Sequence, residues 1–102
     1  MKVENKEQVF KRLKENRTAL EYFGVHRFAL FGSFLSSRQN GNSDIDLIVE
    51  FKQGRKSFDN FMHLVFFLED LFGRKVELIT PESLSPHIGP KILRDLEYVT
   101  TN

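Results

Sequence analysis

Apolar residues recur along the chain with two periods, one typical of helices and the other of strands. Between Asn5 and about Tyr22 they fall on one face of a helix, and Gly24 is well placed to end it. This stripe consists of Val9, Phe10, Leu13, Leu20 and Phe23. The pattern therefore predicts one continuous amphipathic helix before Gly24.

Three later segments are rich in β-branched and aromatic residues, as strands are. They cover residues 26–31, 45–51 and 75–80. Side chains alternate between the two faces of a strand, so in the second segment Asp46 and Ile48 share one face while Leu47 lies on the other. A polar turn over residues 52–57 separates this strand from the next helix.

Two more helices are predicted in the second half of the chain. Ser57 is a candidate N-cap for a helix over Phe58–Phe72, which Gly73 would end. A short final helix runs from Ile88 to Leu96, and its apolar positions share one face. They are Ile88, Ile92, Leu93 and Leu96. The order α-β-β-α-β-α predicts an α+β fold in which helices cover a small mixed β-sheet, as a single domain over residues 1–102.

The helix over Phe58–Phe72 contains more apolar residues than one stripe can hold. They are Phe58, Phe61, Met62, Leu64, Val65, Phe66, Phe67, Leu68, Leu71 and Phe72. A helix that is apolar on all sides is either deeply buried or docked to another surface. A domain this small can bury both sides of a helix only with difficulty, so we favour self-association or a protein partner over a large aromatic core.

Composition limits the classes of function. The chain has 102 residues and a net charge of +1, so its charge does not favour a nucleic-acid acceptor. It contains no cysteine, which excludes disulfides, a thiol nucleophile and a cysteine-based zinc site. No long apolar run or cleavable leader is visible, so we expect a cytoplasmic protein with no membrane association.

A pair of carboxylates at the start of the second strand is the first candidate site. Asp44 and Asp46 are two positions apart, about 6.5–7 Å along a strand, and point to the same side. Two such carboxylates repel each other unless a cation neutralises them, and together they can hold one or two divalent ions. The alternative is structural, with Asp44 capping a turn and Asp46 merely exposed.

Gly32 and Ser33 directly follow the first predicted strand. Glycine lets the backbone turn sharply and lets a ligand approach closely, and Ser33 can cap a turn or helix that begins at Phe34. An ordinary strand-to-helix turn would use the same pair of residues. Combined with the downstream carboxylates, however, the pair favours a site for phosphates.

Gly32-Ser33 and Asp44-x-Asp46, at this spacing, resemble the signature of the DNA polymerase β-like nucleotidyltransferase superfamily. The small size and the segment over residues 76–84 are similar to the minimal nucleotidyltransferases, many of which act as antitoxins beside a HEPN-domain toxin. The resemblance covers residues 25 to 99. It implies transfer of a nucleoside monophosphate, AMP from ATP being the first choice, to a hydroxyl acceptor with release of pyrophosphate.

The resemblance also implies roles for individual residues. Gly32 and Ser33 would contact the triphosphate, with Arg38 and Ser43 as further nucleotide-binding candidates. Asp44, Asp46 and a third acid, Glu77, would bind Mg²⁺, as one or two ions, with Mn²⁺ as a substitute. Glu77 would also activate the acceptor hydroxyl. Such a displacement depends mostly on positioning and charge neutralisation, so a small scaffold suffices.

Two positions depart from the family pattern. The third acid is usually aspartate and is Glu77 here, and the loop after Gly32-Ser33 has Ser36 and Ser37 where an arginine and a second glycine are common. Glu77 could instead be a solvent-facing strand residue paired with Lys75 or Arg74.

Three interpretations of the function follow. In the first, the chain is an active nucleotidyltransferase that modifies a HEPN-type toxin. In the second, it is an inert antitoxin that binds nucleotide. In the third, it is an antitoxin that acts purely by contact through the Phe58–Phe72 helix. A small hydroxyl-bearing acceptor is a further alternative, although the chain has no room for a domain that would bind it.

Overall fold

A computed structural model of the chain describes residues 2–87 and 89–100. Helices and strands follow one another, with one 3₁₀ turn near the end. In chain order they are α1 (Lys6–Glu15), α2 (Arg17–Tyr22), β1 (Val25–Phe31), α3 (Ser33–Ser36), β2 (Ile45–Phe51), α4 (Phe58–Phe72), β3 (Val76–Ile79), the 3₁₀ turn (Pro81–Ser83), α5 (Gly89–Arg94) and β4 (Glu97–Thr100).

The described strands form one mixed sheet of four strands in the order β3-β2-β1-β4. The two central strands, β1 and β2, are antiparallel to each other. β4 is antiparallel to β1, and β3 is parallel to β2. The predicted fold class, α+β with helices on a small mixed sheet, is thus confirmed.

One face of the sheet carries the hydrophobic core, to which α1, α2 and α4 contribute. Its fully buried side chains include Val3, Val9, Leu13, Leu20, Phe28, Leu30, Phe34, Ile45, Leu47, Val49, Leu64, Leu68 and Phe72. Removing each large apolar side chain from water contributes roughly 1.5–3 kcal/mol, so this layer is the main source of stability.

The opposite face of the sheet carries the polar residues of β2. The crossover from β2 through α4 to the parallel strand β3 is expected to be right-handed. The connection from β3 to β4 runs in the opposite direction along the sheet. A right-handed connection in that direction must cross the face that α4 does not cover. Consistent with this, Ala29 and Ile48, which pair across β1 and β2 outside the core cluster, are only 1% and 3% exposed.

The first predicted helix is interrupted, which corrects the expectation of one continuous helix. Asn16 has non-helical backbone angles, φ −110° and ψ 23°, and separates α1 from α2. Its side-chain amide donates to the carbonyl of Arg12 at 2.8 Å. Asparagine competes in this way for backbone hydrogen bonds, which makes it a poor residue for a helix interior.

The end of the chain also differs from the prediction. The final helix covers only Gly89–Arg94, and β4, which was not predicted, follows it over Glu97–Thr100. Leu93 was expected on the apolar face but is 53% exposed. Ile88, the predicted start of this helix, lies outside the described residues. The Tyr-Val-Thr sequence of β4 has strand composition, but it is too short to stand out without its partner β1.

The long helix α4 matches its predicted bounds, with Ser57 as N-cap. The Ser57 hydroxyl accepts from the Asn60 amide at 3.1 Å, and Gly73 ends the helix. Most of its apolar residues belong to the core or pack against it. Phe58 and Phe66 remain 78% and 56% exposed, so a large aromatic core accounts for only part of the surplus.

No helix in the described part of the chain is long and apolar enough to cross a membrane.

Candidate active site

Three residues in register place the candidate site on the face of the sheet opposite the core. Phe31 of β1 pairs with Asp46 of β2, and Asp46 pairs with Glu77 of β3. Directly paired residues point to the same face, so these side chains form a row across three strands. Asp46 is partly buried and Glu77 is exposed at the edge strand. The structure thus brings Asp46 and Glu77 together, as the sequence predicted.

The carboxyl of Asp46 is strongly perturbed. Burial is the main cause, followed by a side-chain hydrogen bond to Glu77 and by the negative charges of Glu77 and Asp44, and together they raise the pKa of Asp46 from 3.8 to about 7. A hydrogen bond between two carboxyl groups requires one of them to be protonated. The three acids therefore hold more negative charge than this corner of the sheet can accommodate without a proton or a cation.

The donor set can be compared with what a metal requires. Carboxylate oxygens are the ligands that Mg²⁺ and Mn²⁺ prefer, and the unneutralised charge at Asp46 is what a divalent cation would relieve. Within residues 2–87 and 89–100, however, no three acidic or histidine side chains are already gathered into a metal-binding group. The residue types fit a divalent ion, whereas their arrangement is that of a proton-sharing pair with Asp44 nearby.

Gly32 is in direct contact with Asp46. Its φ of +76° is unfavourable for other residues, and a Cβ at this position would lie 2.1 Å from Oδ2 of Asp46. Gly32, rather than Ser33, is the N-cap of α3, and Ser33 is the first helical residue. The predicted capping by Ser33 was therefore wrong: the cap position has no side chain because the Asp46 carboxylate occupies that space.

The loop after α3 explains one departure from the family pattern. Ser37 has a left-handed backbone with φ 61°, the conformation that glycine adopts without strain. The amide of the exposed residue Arg38 then donates to the carbonyl of Ser33 at 2.9 Å and closes the turn. Ser37 thus adopts a backbone conformation that a glycine would adopt without strain.

Ser43 serves the loop that leads into β2. Its hydroxyl accepts from the Asn40 amide at 2.9 Å, and its carbonyl accepts from Nη1 of Arg74 at 2.9 Å. Both groups of Ser43 are thus engaged in holding the loop before Asp44, and its predicted contact with a nucleotide stays a prediction.

Arg74 is a residue of the site region that the sequence did not reveal. The residue is only 8% exposed. Besides the carbonyl of Ser43, its guanidinium donates to the carbonyls of Val3 at 2.7 Å and Asn40 at 2.9 Å. It lies 4.8 Å above the ring of Phe34 in α3. Arg74 therefore points away from Glu77, which corrects the alternative that the two residues pair. An arginine directly after a helix is usually exposed, so no sequence signal indicated that Arg74 donates to buried backbone carbonyls.

A cleft of about 880 Å³ adjoins the carboxylates on the side of β1 and β4. It is bounded by the end of β1, by α3 with the following loop, and by α5. Its lining residues are Phe31, Gly32, Ser33, Leu35, Ser36, Arg38, Lys91, Ile92, Arg94, Asp95 and Leu96. Gly32, Ser33 and Arg38 were predicted as site residues, whereas Lys91 and Arg94 were not. The basic composition of the last helix was the available signal for them.

Because the Asp46 carboxylate fills the space beside Gly32, we predict that Gly32→Ala destabilises the protein more than Gly54→Ala does. Both glycines have positive φ, +76° and +79°, but nothing lies within 4 Å of a Cβ at Gly54. Positive-φ backbone strain of about 1–3 kcal/mol applies to both variants, and Gly32, with ψ −154°, lies in a backbone region almost restricted to glycine. The clash with the Asp46 carboxylate applies only to Gly32. Chemical denaturation should show an excess loss of about 1–3 kcal/mol for Gly32→Ala. In an Asp46→Ala background the excess should shrink, and equal losses in the two glycine variants would contradict the contact.

The raised pKa of Asp46 predicts how stability depends on pH without divalent metal. The folded state holds the proton more tightly than the unfolded state, so stability should fall as pH rises from about 4 to about 7 and then level off. Asp46→Asn should remove this slope. Allowing for solvent screening, we expect it to raise Tm at pH 8 by about 4–8 °C, or about 1 kcal/mol. Glu50→Gln, on the same strand but in an ion pair with Arg27 at 3.0 Å, is the matched control. A wild-type profile that is flat over this range would refute the assignment.

Comparison with known proteins agrees with this geometry. The sequence profile of the nucleotidyltransferase domain matches residues 6–99. A candidate protein adenylyltransferase of Methanocaldococcus jannaschii is 38% identical over 88 residues, which cover 84% of this chain and 88% of the relative.

Solved structures share the fold. A candidate minimal nucleotidyltransferase superposes with a TM-score of 0.76 and 26% identity, covering 92% of this chain and 95% of the other. A toxin–antitoxin complex with AMP-PNP superposes with a TM-score of 0.66 and 22% identity, covering 93% and 72% of the two chains. A complex of a tri-AMPylated HEPN toxin of Shewanella oneidensis with its MNT antitoxin superposes with a TM-score of 0.55 and 16% identity, covering 84% of this chain and 70% of the other. The chain therefore belongs to the nucleotidyltransferase domain family, with the α+β fold of the minimal nucleotidyltransferases.

Proposed function

We propose that this chain is a divalent-metal-dependent adenylyltransferase that moves AMP from ATP to a hydroxyl of a HEPN-type toxin and thereby acts as its antitoxin. The observation that carries the proposal is the row of Asp46 and Glu77 in register, with Gly32 packed against Asp46. The named activity of the relative, protein adenylylation, supports the reaction type. The AMP groups on the HEPN toxin in the Shewanella complex support the acceptor.

The residues present fit a metal through the chemistry of their donors. Asp44, Asp46 and Glu77 would hold Mg²⁺ or Mn²⁺, which when bound neutralises phosphate charge and orients the phosphates for displacement. Gly32, Ser33 and Arg38 line the adjoining cleft and would contact the triphosphate. Ser43 would support this set by holding the loop before Asp44.

Glu77 would accept the proton of the acceptor hydroxyl. It is exposed on the edge strand β3, so an incoming hydroxyl can reach it from outside the sheet. Asp46, partly buried behind it, shares a hydrogen bond with Glu77. The Glu77 carboxylate would act as the general base for this hydroxyl.

An inert nucleotide-binding antitoxin is the second candidate, and the longer side chain of Glu77 is the observation that favours it. A metal site with tight octahedral geometry tolerates an extra methylene only if neighbouring ligands compensate. Glu77→Asp and Ser37→Gly restore the common family residues at the two positions that depart from the pattern. Activity that appears only in these variants would favour this second function.

We expect transfer of label from ATP carrying a labelled α-phosphate to a macromolecule in a lysate of the source cell, with Mg²⁺ present. Asp44→Asn and Asp46→Asn should each lower the transfer at least about 100-fold, because each removes a carboxylate that would hold the divalent ion. Glu50→Gln should retain activity, since Glu50 is paired with Arg27 outside the site. Mass spectrometry of the labelled product would identify the acceptor. Label transfer by the Asp44→Asn/Asp46→Asn double variant at the level of wild type would refute the proposed site.

The partner would dock, at least in part, on a ridge of α4, which we define as the exposed residues Phe58 and Phe66 with the half-buried Met62 between them. These residues are spaced four apart, so they follow one line along the helix. Exposed aromatic residues are enriched at protein interfaces.

We therefore predict that Phe58→Ser/Phe66→Ser weakens the complex with the labelled acceptor at least about tenfold, as truncation of interface aromatics commonly does. Tyr22→Ser is the control, because Tyr22 is 80% exposed but lies on α2. Sedimentation of the isolated protein separates the alternatives: a dimer that the double variant converts to monomer would show that the ridge joins two copies instead. Unchanged affinity and unchanged mass would exclude the ridge as an interface.

A further inference from the structure

The cleft beside the carboxylates has an unequal charge distribution. Three of its lining side chains are cations, Arg38, Lys91 and Arg94, and one is an acid, Asp95. All three cations are exposed rather than buried in ion pairs. A concave site with a surplus of cations attracts polyanions, because low-dielectric walls focus the field.

Gly32 connects this cleft to the carboxylates. It lines the cleft together with Ser33, and on its other side it touches the carboxylate of Asp46. A chain of phosphates that runs past Gly32 would therefore have acids at one end and cations at the other.

The register of the sheet gives this arrangement a direction. Glu77, Asp46 and Phe31 follow one another from β3 through β2 to β1. Phe31 then lines the cleft, whose far wall is α5, just before β4. From β3 towards β4, one therefore meets first the general-base candidate Glu77, then the metal-binding candidate Asp46. The turn at Gly32 follows, and the cations of the cleft come last.

We propose that Lys91 and Arg94 of α5, with Arg38, bind the β- and γ-phosphates of the nucleotide, so that pyrophosphate leaves towards β4 and the acceptor hydroxyl enters past Glu77 at the β3 edge. This inference rests on the proposed function and adds two binding residues and the orientation of the substrate.

The direction follows from the chemistry of the transfer. The acceptor oxygen forms a bond to the α-phosphorus, and the bond from that phosphorus to the oxygen bridging to the β-phosphate breaks. The leaving pyrophosphate takes the bonding electron pair, and the hydroxyl proton goes to Glu77. Attacking and leaving oxygens are roughly in line, so they lie on opposite sides of the phosphorus. Cations that stabilise the leaving group must therefore lie on the side away from Glu77, where the cleft is.

The cleft also has apolar walls, which include Leu35, Ile92 and Leu96, and these could instead accept the adenine base. In that arrangement the phosphates would point away from α5, and the three cations would contribute little to ATP binding beyond their net charge. Comparing ligands that share a base and differ in phosphates separates the two orientations.

The test is the affinity of ATP, AMP and pyrophosphate for wild type and for Lys91→Gln/Arg94→Gln, measured by calorimetry with Mg²⁺ and in parallel with EDTA. Each charge-assisted contact to a phosphate should change affinity at least about tenfold. We expect the double variant to lose about 100-fold for ATP and for pyrophosphate, while its affinity for AMP changes less than about twofold. Lys11→Gln/Arg17→Gln on α1 and α2 removes the same net charge and should leave all three affinities unchanged.

Each outcome distinguishes the two proposals. Equal loss for AMP and ATP, or no loss for either, would overturn the orientation while leaving the transferase intact if wild type still transfers label. The same loss in the Lys11→Gln/Arg17→Gln control would show a net-charge effect and would also overturn it. Binding of no nucleotide by wild type would overturn both the inference and the proposed function.

Discussion

The guanidinium of Arg74 holds together the parts of the chain on which the candidate site depends. It donates to the carbonyls of Val3, Asn40 and Ser43 and lies over the ring of Phe34. One buried side chain thereby ties the segment before α1 to the loop before β2 and to α3. Leaving such carbonyls without a donor would cost about 1–3 kcal/mol each, so the loop that carries Asp44 is fixed by a residue that needs no contact with the substrate.

Around this constraint, the two faces of the sheet have different tasks. The face covered by α1, α2 and α4 supplies the apolar layer that stabilises the fold. The other face collects Asp46, Glu77 and the end of β1. Burial and the neighbouring acids raise the pKa of Asp46 to about 7, so we expect the metal-free protein to be less stable with this carboxyl ionised than with it protonated. Functional sites often carry such a cost, and here the apolar layer on the reverse of the same strands offsets it.

The sequence predicted the local part of this arrangement and missed the part that depends on distant contacts. Gly32 and Asp46 lie at the neighbouring ends of the antiparallel strands β1 and β2, so their spacing along the chain already indicated that they would meet. Asp44 precedes β2, and its charge contributes to the raised pKa of Asp46. Glu77 could be included in the predicted site because side chains alternate along a strand, which indicates the face on which Glu77 lies. The resemblance to a known family indicated that the third acid would be on this strand. The site roles themselves stay predictions.

What could not be predicted involves residues far apart in the chain. The role of Arg74 depends on carbonyls from three other segments, and no periodicity signals a backbone acceptor. Lys91 and Arg94 belong to a short helix whose position is set by the pairing of β4 with β1. β4 itself has only four residues, and its strand character appears only when Phe28 and Ala29 are beside it. Asn16 gave a local signal, a poor helix former in the middle of a stripe, but the apolar pattern on both sides outweighed it.

The attachment of α5 has a consequence for how the cleft opens and closes. β4 pairs with residues Arg27 to Leu30, so the wall that carries Lys91 and Arg94 is anchored by an edge strand whose partner β1 is distant in the chain. Terminal segments that make few contacts open more easily than core strands, and β4 has only four residues. Transient separation of β4 would release the cationic wall while β1, β2 and the carboxylates keep their places. If α5 binds the leaving pyrophosphate as proposed, the rate at which this edge frays would set how long that product stays bound.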